Sequence, residues 1–215
     1  KLGFKHDFRM YIPQYTTAQM IEWFGVDWKK HCAQNSYVRP NGSKNITAMT
    51  PDDFIYFHNL LSCVNQDLAH HIIIKCQDIK HASNSKKELA LNFKTILKAI
   101  PNSGKLKALH TYVADTHNIK KDKIWKDINE IPKKYNLSMT FFADLLGESW
   151  SPKNGWVDGT GFLTNIRSYI KVSQTKGRGD RKDGKKQLPF EKKFNRVFLP
   201  GFMVSDDQEW NEKYF

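Results

Sequence analysis

Ten cationic side chains crowd one late stretch of the chain, residues 171–196: Lys171, Lys176, Arg178, Arg181, Lys182, Lys185, Lys186, Lys192, Lys193 and Arg196. Only Asp180, Asp183 and Glu191 oppose them, so these 26 residues carry a net +7 of the chain's +12. Like charges at this density repel, and a polyanion laid against them removes the repulsion. A phosphodiester backbone does so while releasing condensed counterions. Gly177, Gly179 and Gly184 lie among the charges, where the lack of a Cβ lets backbone amides approach a phosphate. Tyr169, Phe190 and Phe194 border the run and offer rings on which unpaired bases can stack. The expected chemistry is phosphate neutralisation, with DNA or RNA as the partner. The plainer alternative is a solvated hairpin loop held by aromatic anchors.

A second group of residues suggests catalysis. Pro51-Asp52, followed by Asp78-Ile79-Lys80, resembles the PD-(D/E)xK nuclease pattern. That resemblance implies that Asp52 and Asp78 hold a divalent metal such as magnesium and that Lys80 orients or activates water. It also needs Asp78 and Lys80 on one face of a strand, where side chains repeat every second residue. Magnesium is expected only under this alternative, and no cofactor otherwise. His58, Cys63, His70, His71, Cys76 and His81 fall within 24 residues, yet no C-x2-C or H-x3-H pair is among them. Structural zinc sites usually show such a pair, so the expectation is histidines and cysteines packed on a helix and a strand, with no metal. Neither a phosphate-binding P-loop nor a dinucleotide fingerprint occurs.

The elements that would position these groups read as follows. Thr16 or Thr17 caps a helix carrying Met20, Ile21, Trp23, Phe24 and Trp28. Thr50-Pro51-Asp52-Asp53 opens a second helix, with Phe54, Phe57, Leu61, Val64 and Leu68 at helical spacing. Ile72 to Ile74 is β-branched and predicts a strand. Ser85-Lys86-Lys87-Glu88 has the form of a capping box opening a helix striped by Leu89, Phe93, Ile96, Leu97 and Ile100. Leu106, Leu109 and Val113 suggest a further helix, and Ile124, Ile128 and Ile131 one more. From Ser151 the character changes to turn pairs, Asn154-Gly155 and Asp158-Gly159. Phe162 to Val172 reads two ways, as a helix through Phe162, Ile166 and Ile170 or as a strand with Ile166, Ile170 and Val172 on one face; the strand is favoured, leading into the basic loop with Arg196 to Val204 returning as its hairpin partner.

Residues 128–146, from Ile128 through Pro132, Asn136 and Ser138 to Leu146, resemble a helix-turn-helix segment. Ile131, Tyr135, Leu137, Phe142 and Leu145 would fill the buried positions of that family, with Asn136 in the turn and Ser138 capping the second helix. The resemblance implies that Thr140 and Met139 face bases in a major groove and that Lys133 and Lys134 meet the backbone.

These readings predict an α+β fold, mainly helical: a helical domain over residues 1–150 followed by a smaller basic, β-hairpin-like subdomain over 151–215. No stretch approaches the roughly 20 apolar residues of a membrane span. Three scattered cysteines are a poor disulfide framework and suit a reducing, intracellular compartment. The functional expectation is a nucleic-acid-binding protein without chemistry of its own: a replication, regulatory or nucleoprotein-assembly factor, viral or mobile-element in type, with other protein subunits as further partners. A metal-dependent nuclease and a structural subunit docking on an acidic protein are the alternatives.

Overall fold

A computed structural model describes residues 8–34, 49–143, 157–163 and 194–214. The elements, in chain order, are β1 (Phe8–Tyr11), β2 (Gln14–Tyr15), α1 (Thr17–Phe24), α2 (Trp28–Ala33), α3 (Pro51–Asn65), β3 (His71–Lys75), α4 (Ile79–Lys98), a 3-10 turn (Ser103–Ala108), β4 (Leu109–Val113), α5 (Lys121–Lys134), β5 (Leu137–Phe142), β6 (Gly159–Phe162), β7 (Asn195–Phe198), β8 (Met203–Val204) and α6 (Gln208–Tyr214).

Six strands form one sheet in the order β1-β7-β6-β3-β5-β4, and every pairing in it is parallel. This overturns the mainly helical α+β expectation: the arrangement is α/β. All residues of β3, β5 and β6 are buried, as strands covered on both faces are in parallel sheets. Leu137-Ser-Met-Thr-Phe141 does alternate apolar and polar residues, but the helix-turn-helix resemblance assigned it to a second helix; Gly159-Thr-Gly-Phe162 carries turn residues and reads as turns although it is a buried strand. Leu109 to Val113, expected as helix, is the edge strand β4. The expected C-terminal hairpin is absent too, because β7 pairs parallel with β6 and with β1. Arg196 to Val204 is not one returning strand; it holds the end of β7 and, further on, β8.

The helix starts differ in how plainly the sequence marks them. α1 is capped by Thr16, which exchanges reciprocal hydrogen bonds with Gln19, and α5 has the stripe Ile124, Ile128 and Ile131 on its buried face. α4, in contrast, begins six residues before the expected capping box. Asp78 caps it, its Oδ1 accepting from the His81 N–H at 2.7 Å, and Ser85 is buried in the helix interior.

The chain divides into two compact units, each discontinuous in sequence. The first comprises Lys1–Tyr11, Cys63–Lys86 and Gly104–Leu199, and holds the six-stranded sheet. One of its cores gathers Ile73, Ala114, Ile124, Ile128, Phe142 and Val157, so α5 packs on the sheet through its apolar stripe. Gly159 sits where β6 presses on β3: a Cβ there would meet Ile72 Cγ1 at 2.7 Å. The second unit comprises Ile12–Ser62, Lys87–Ser103 and Pro200–Phe215. It contains the short parallel pair β2-β8 and a core rich in rings, where Trp23 contacts Tyr15, Phe24, Phe54 and His58. The boundary expected near residue 150 falls outside the described residues.

Candidate nucleic-acid interface

Open parallel sheets bind ligands at the carboxyl ends of their strands, at the point where successive connections leave in opposite directions. Here that point lies between β3 and β6. The connection after β3 leads to β4 on one side, and the connection after β6 leads to β7 on the other. The ladder is intact up to this edge: Cys76 N–H donates to Phe142 O at 2.8 Å and Leu163 N–H to Lys75 O at 3.0 Å. β6 and β7 are parallel neighbours, so the chain between them must return from the carboxyl edge to the amino edge. Such a connection is a crossover rather than a hairpin loop. The cationic run belongs to that crossover. Lys171, Lys176, Arg178, Arg181, Lys182, Lys185, Lys186, Lys192 and Lys193 lie outside the described residues; Arg196 is in β7.

At the switch point stands a lysine that the sequence reading missed. Lys75 ends β3, is only 5% exposed, and lies in register between Phe142 and Phe162. Its ammonium donates to the Cys76 carbonyl at 3.0 Å and lies 5.9 Å from the Phe142 ring centroid. Burying a cation is costly unless it is hydrogen-bonded, and these contacts hold it at the carboxyl edge. The signal was the lysine closing an otherwise apolar strand, Ile72-Ile73-Ile74-Lys75.

The residues of the helix-turn-helix resemblance are placed otherwise than that resemblance implies. Residues 121–134 are helix, but the intended second helix begins as the buried strand β5, between β3 and β4. Ser138 and Thr140 are fully buried, Ser138 Oγ lying 2.8 Å from His71 Nδ1, so neither meets a base. Lys133 and Lys134 occupy the last turn of α5, where cations suit the helix dipole, and Lys133 pairs with Glu130 at 2.7 Å.

The residues of the nuclease resemblance also stand differently. Asp78 and Lys80 sit at the start of α4 instead of along a strand. Asp52 is on the first turn of α3. Its carboxyl is pushed up to about 6, first by desolvation and then by the neighbouring Asp53 carboxylate. Solvent still reaches Asp52, which limits the energetic weight of that shift.

The histidines and cysteines have separate occupations. His81 Nδ1 accepts from the Gln77 N–H, His70 Nδ1 lies 2.9 Å from Asp158 Oδ2, and His71 meets Ser138. Burial pushes the Cys63 thiol up to about 11 and the Cys76 thiol to about 12, so both stay protonated at neutral pH. Among the described residues no group of three or more His, Cys, Asp or Glu is arranged to hold a metal. No helix among them is long and apolar enough to cross a membrane.

The class defined by this geometry is an α/β fold whose six-stranded sheet pairs in parallel throughout the described residues. No protein-family model and no curated protein matches the chain. Two solved structures share the fold. A fragment assigned as the HsdR subunit of a type I restriction enzyme from Vibrio vulnificus YJ016 superposes with a TM-score of 0.53 at 14% identity, over 97% of this chain and 34% of that one. The ATP-dependent type ISP restriction-modification enzyme LlaBIII, bound to DNA, gives a TM-score of 0.56 at 14% identity, over 94% of this chain and 12% of that one. The chain thus spans about a third and an eighth of these two proteins, and at this identity the likeness is one of fold.

Proposed function

We propose that this chain is a nucleic-acid-holding α/β module, in which the basic crossover of residues 171–196 neutralises phosphates at the sheet. One observation carries the reading: residues 171–193, with nine cations against three acids a net +6, belong to the connection that leaves β6 at the carboxyl edge beside the switch point and returns to β7. The connection that carries the run starts from the edge where open parallel sheets take ligands. The fold shared with restriction enzymes, one of them bound to DNA, supports the same reading. The role assigned is holding, with phosphate contacts fixing position more than sequence.

The test is a titration of labelled single- and double-stranded DNA and RNA at several salt concentrations. Replacing Lys182, Lys185 and Lys186 together by Ala is expected to weaken binding and to flatten the plot of log affinity against log salt by about 0.7 to 0.9 per lost phosphate contact. An unchanged slope removes the crossover from the interface. Binding to cell components that survives nuclease treatment would instead favour docking on an acidic protein.

A further inference from the structure

Two arginines stand side by side at the amino end of the sheet. Arg9 in β1 and Arg196 in β7 are direct register partners on adjacent parallel strands, so their side chains rise from the same face. Phe194 lies two residues before Arg196. Its ring centroid is 4.0 Å from the Arg9 guanidinium carbon and 5.8 Å from that of Arg196. The ring's negative faces attract both cations, which offsets part of their mutual repulsion and orients both planar groups.

Among the described residues neither guanidinium has a carboxylate partner. Among the described residues the carboxylate at a neighbouring strand end, Asp158, is engaged by His70 and His71. Arg196 is half-buried, and its Nε, shielded from solvent, has no acceptor among the described residues. Arg9 is exposed. Two guanidiniums flank one ring with no carboxylate partner among the described residues, and one of them has a shielded donor unmet there, an arrangement that suits an anion. Arginine's planar fork grips phosphate oxygens in pairs.

We propose that Arg9 and Arg196, set around Phe194, form a clamp for a single backbone phosphate of the bound nucleic acid. The proposal rests on the nucleic-acid reading above and adds to it a defined contact outside the crossover's lysines. Arg9, some 190 positions away in sequence, joins the interface only because β1 closes the sheet beside β7. Phe194, the residue just before β7, ties the clamp to the place where the basic crossover rejoins the sheet.

The experiment measures binding of a fluorescein-labelled 20-nucleotide single-stranded DNA and its duplex across a salt series. The proteins are wild type, Arg9→Gln, Arg196→Gln, the double variant, Arg9→Lys, and the Lys182, Lys185 and Lys186 triple Ala variant. A clamp on one phosphate predicts that either Gln variant weakens binding roughly tenfold and lowers the salt slope by about 0.7 to 0.9, with the double variant losing little more. Arg9→Lys is expected to keep the slope and still bind more weakly, because the charge stays while the fork is lost. Wild-type affinity and slope in the double variant, alongside weakened binding by the triple Ala variant, overturn the clamp and leave the wider reading standing. No binding by wild type overturns both. Additive losses with the slope falling twice make the arginines independent contacts and overturn the shared phosphate. A parallel titration replaces chloride by inorganic phosphate at equal ionic strength; competition that disappears in the double variant would assign the clamp to free phosphate and overturn the backbone assignment. Should Arg196→Gln not fold, the exposed Arg9 decides the matter through its Gln and Lys variants.

Discussion

Each compact unit buries a histidine, and the two are held in opposite ways. In the sheet unit, His71 begins β3 beside a buried carboxylate. Asp158, 2% exposed, accepts the backbone N–H groups of His70 and His71 and lies 2.9 Å from His70 Nδ1. In the other unit His58 belongs to a neutral chain: the Tyr15 hydroxyl lies 2.9 Å from Nδ1, and Nε2 lies 3.3 Å from the Ala99 carbonyl, with Trp23 and Phe54 packed on the ring. The sheet unit thus fixes the start of its central strand with a charge, whereas the ring-rich unit uses packing and uncharged hydrogen bonds. Parallel strands have no tight turn to set their register, so a buried anion shared between β3 and the start of β6 supplies one. The first design should fail abruptly on loss of a single atom group, and the second gradually.

The largest effect that would break this comparison is loss of the carboxylate. Asp158→Ala removes the carboxylate that accepts from two backbone N–H groups and meets His70, and a buried donor that loses its acceptor costs about 1–3 kcal/mol. Urea denaturation followed by circular dichroism is expected to show that loss, while Asp122→Ala on the exposed side of α5 stays within about 0.5 kcal/mol. Equal, small effects from both would remove the special standing of Asp158.

Acid sharpens the same contrast. Burial pulls the His71 pKa from 6.5 down to about 4, against the opposing influence of Asp158 and with a smaller contribution from His70. Burial also lowers that of His58. A base whose folded-state pKa is depressed takes up its proton more readily when unfolded. The stability this represents is complete above about pH 6.5 and is lost as pH falls toward 4. For His71 the shift corresponds to a loss on the order of 3 kcal/mol. His71→Asn keeps an amide where Nδ1 meets Ser138 and removes the titration. Its stability curve is expected to be flatter between pH 6.5 and 4, and an identical curve would assign the acid sensitivity elsewhere.

Legibility in the sequence varied from element to element. α5 was plain because only one of its faces is buried, and α1 because Thr16 and Gln19 stand in capping order. Strand β5 keeps an apolar–polar alternation, Leu137-Ser-Met-Thr-Phe141, yet its Ser138 and the preceding Asn136 also fit a turn and a helix cap; β6, Gly159-Thr-Gly-Phe162, is built of turn residues and leaves no strand signal. Ser138 and Thr140 looked like cap and contact residues, since small polar side chains are common at helix starts; in the structure both are fully enclosed within β5. Gly159 looked like a turn, although its missing Cβ answers the close approach of Ile72. The charge of the basic stretch was legible at once, but its place in the molecule was not. Only the parallel pairing of β6 with β7 turns it from a hairpin loop into a crossover, and long-range pairing leaves no local mark. Arg9 was invisible for the same reason, its register partner lying at Arg196.

The smallest effect tests the gradual side of the comparison. α1 is held at its start by a reciprocal pair: Gln19 N–H donates to Thr16 Oγ1 at 3.2 Å, and Thr16 N–H donates to Gln19 Oε1 at 2.9 Å. Beside it, Asp206 Oδ1 accepts from both the N–H and the hydroxyl of Thr17 at 2.7 and 3.0 Å. Two acceptors serve the same helix end, so Thr16→Ala is expected to cost about 1 kcal/mol, the ordinary value of a lost cap. Asp206→Ala should cost a similar amount, and the double variant more than the sum, because each acceptor partly covers for the other. Urea denaturation read at tryptophan fluorescence suits this end of the molecule, since Trp23 lies on α1 itself. A loss from Thr16→Ala alone as large as that from Asp158→Ala would mean that the ring-rich unit also hangs on a single contact, and the distinction between the two units would go with it.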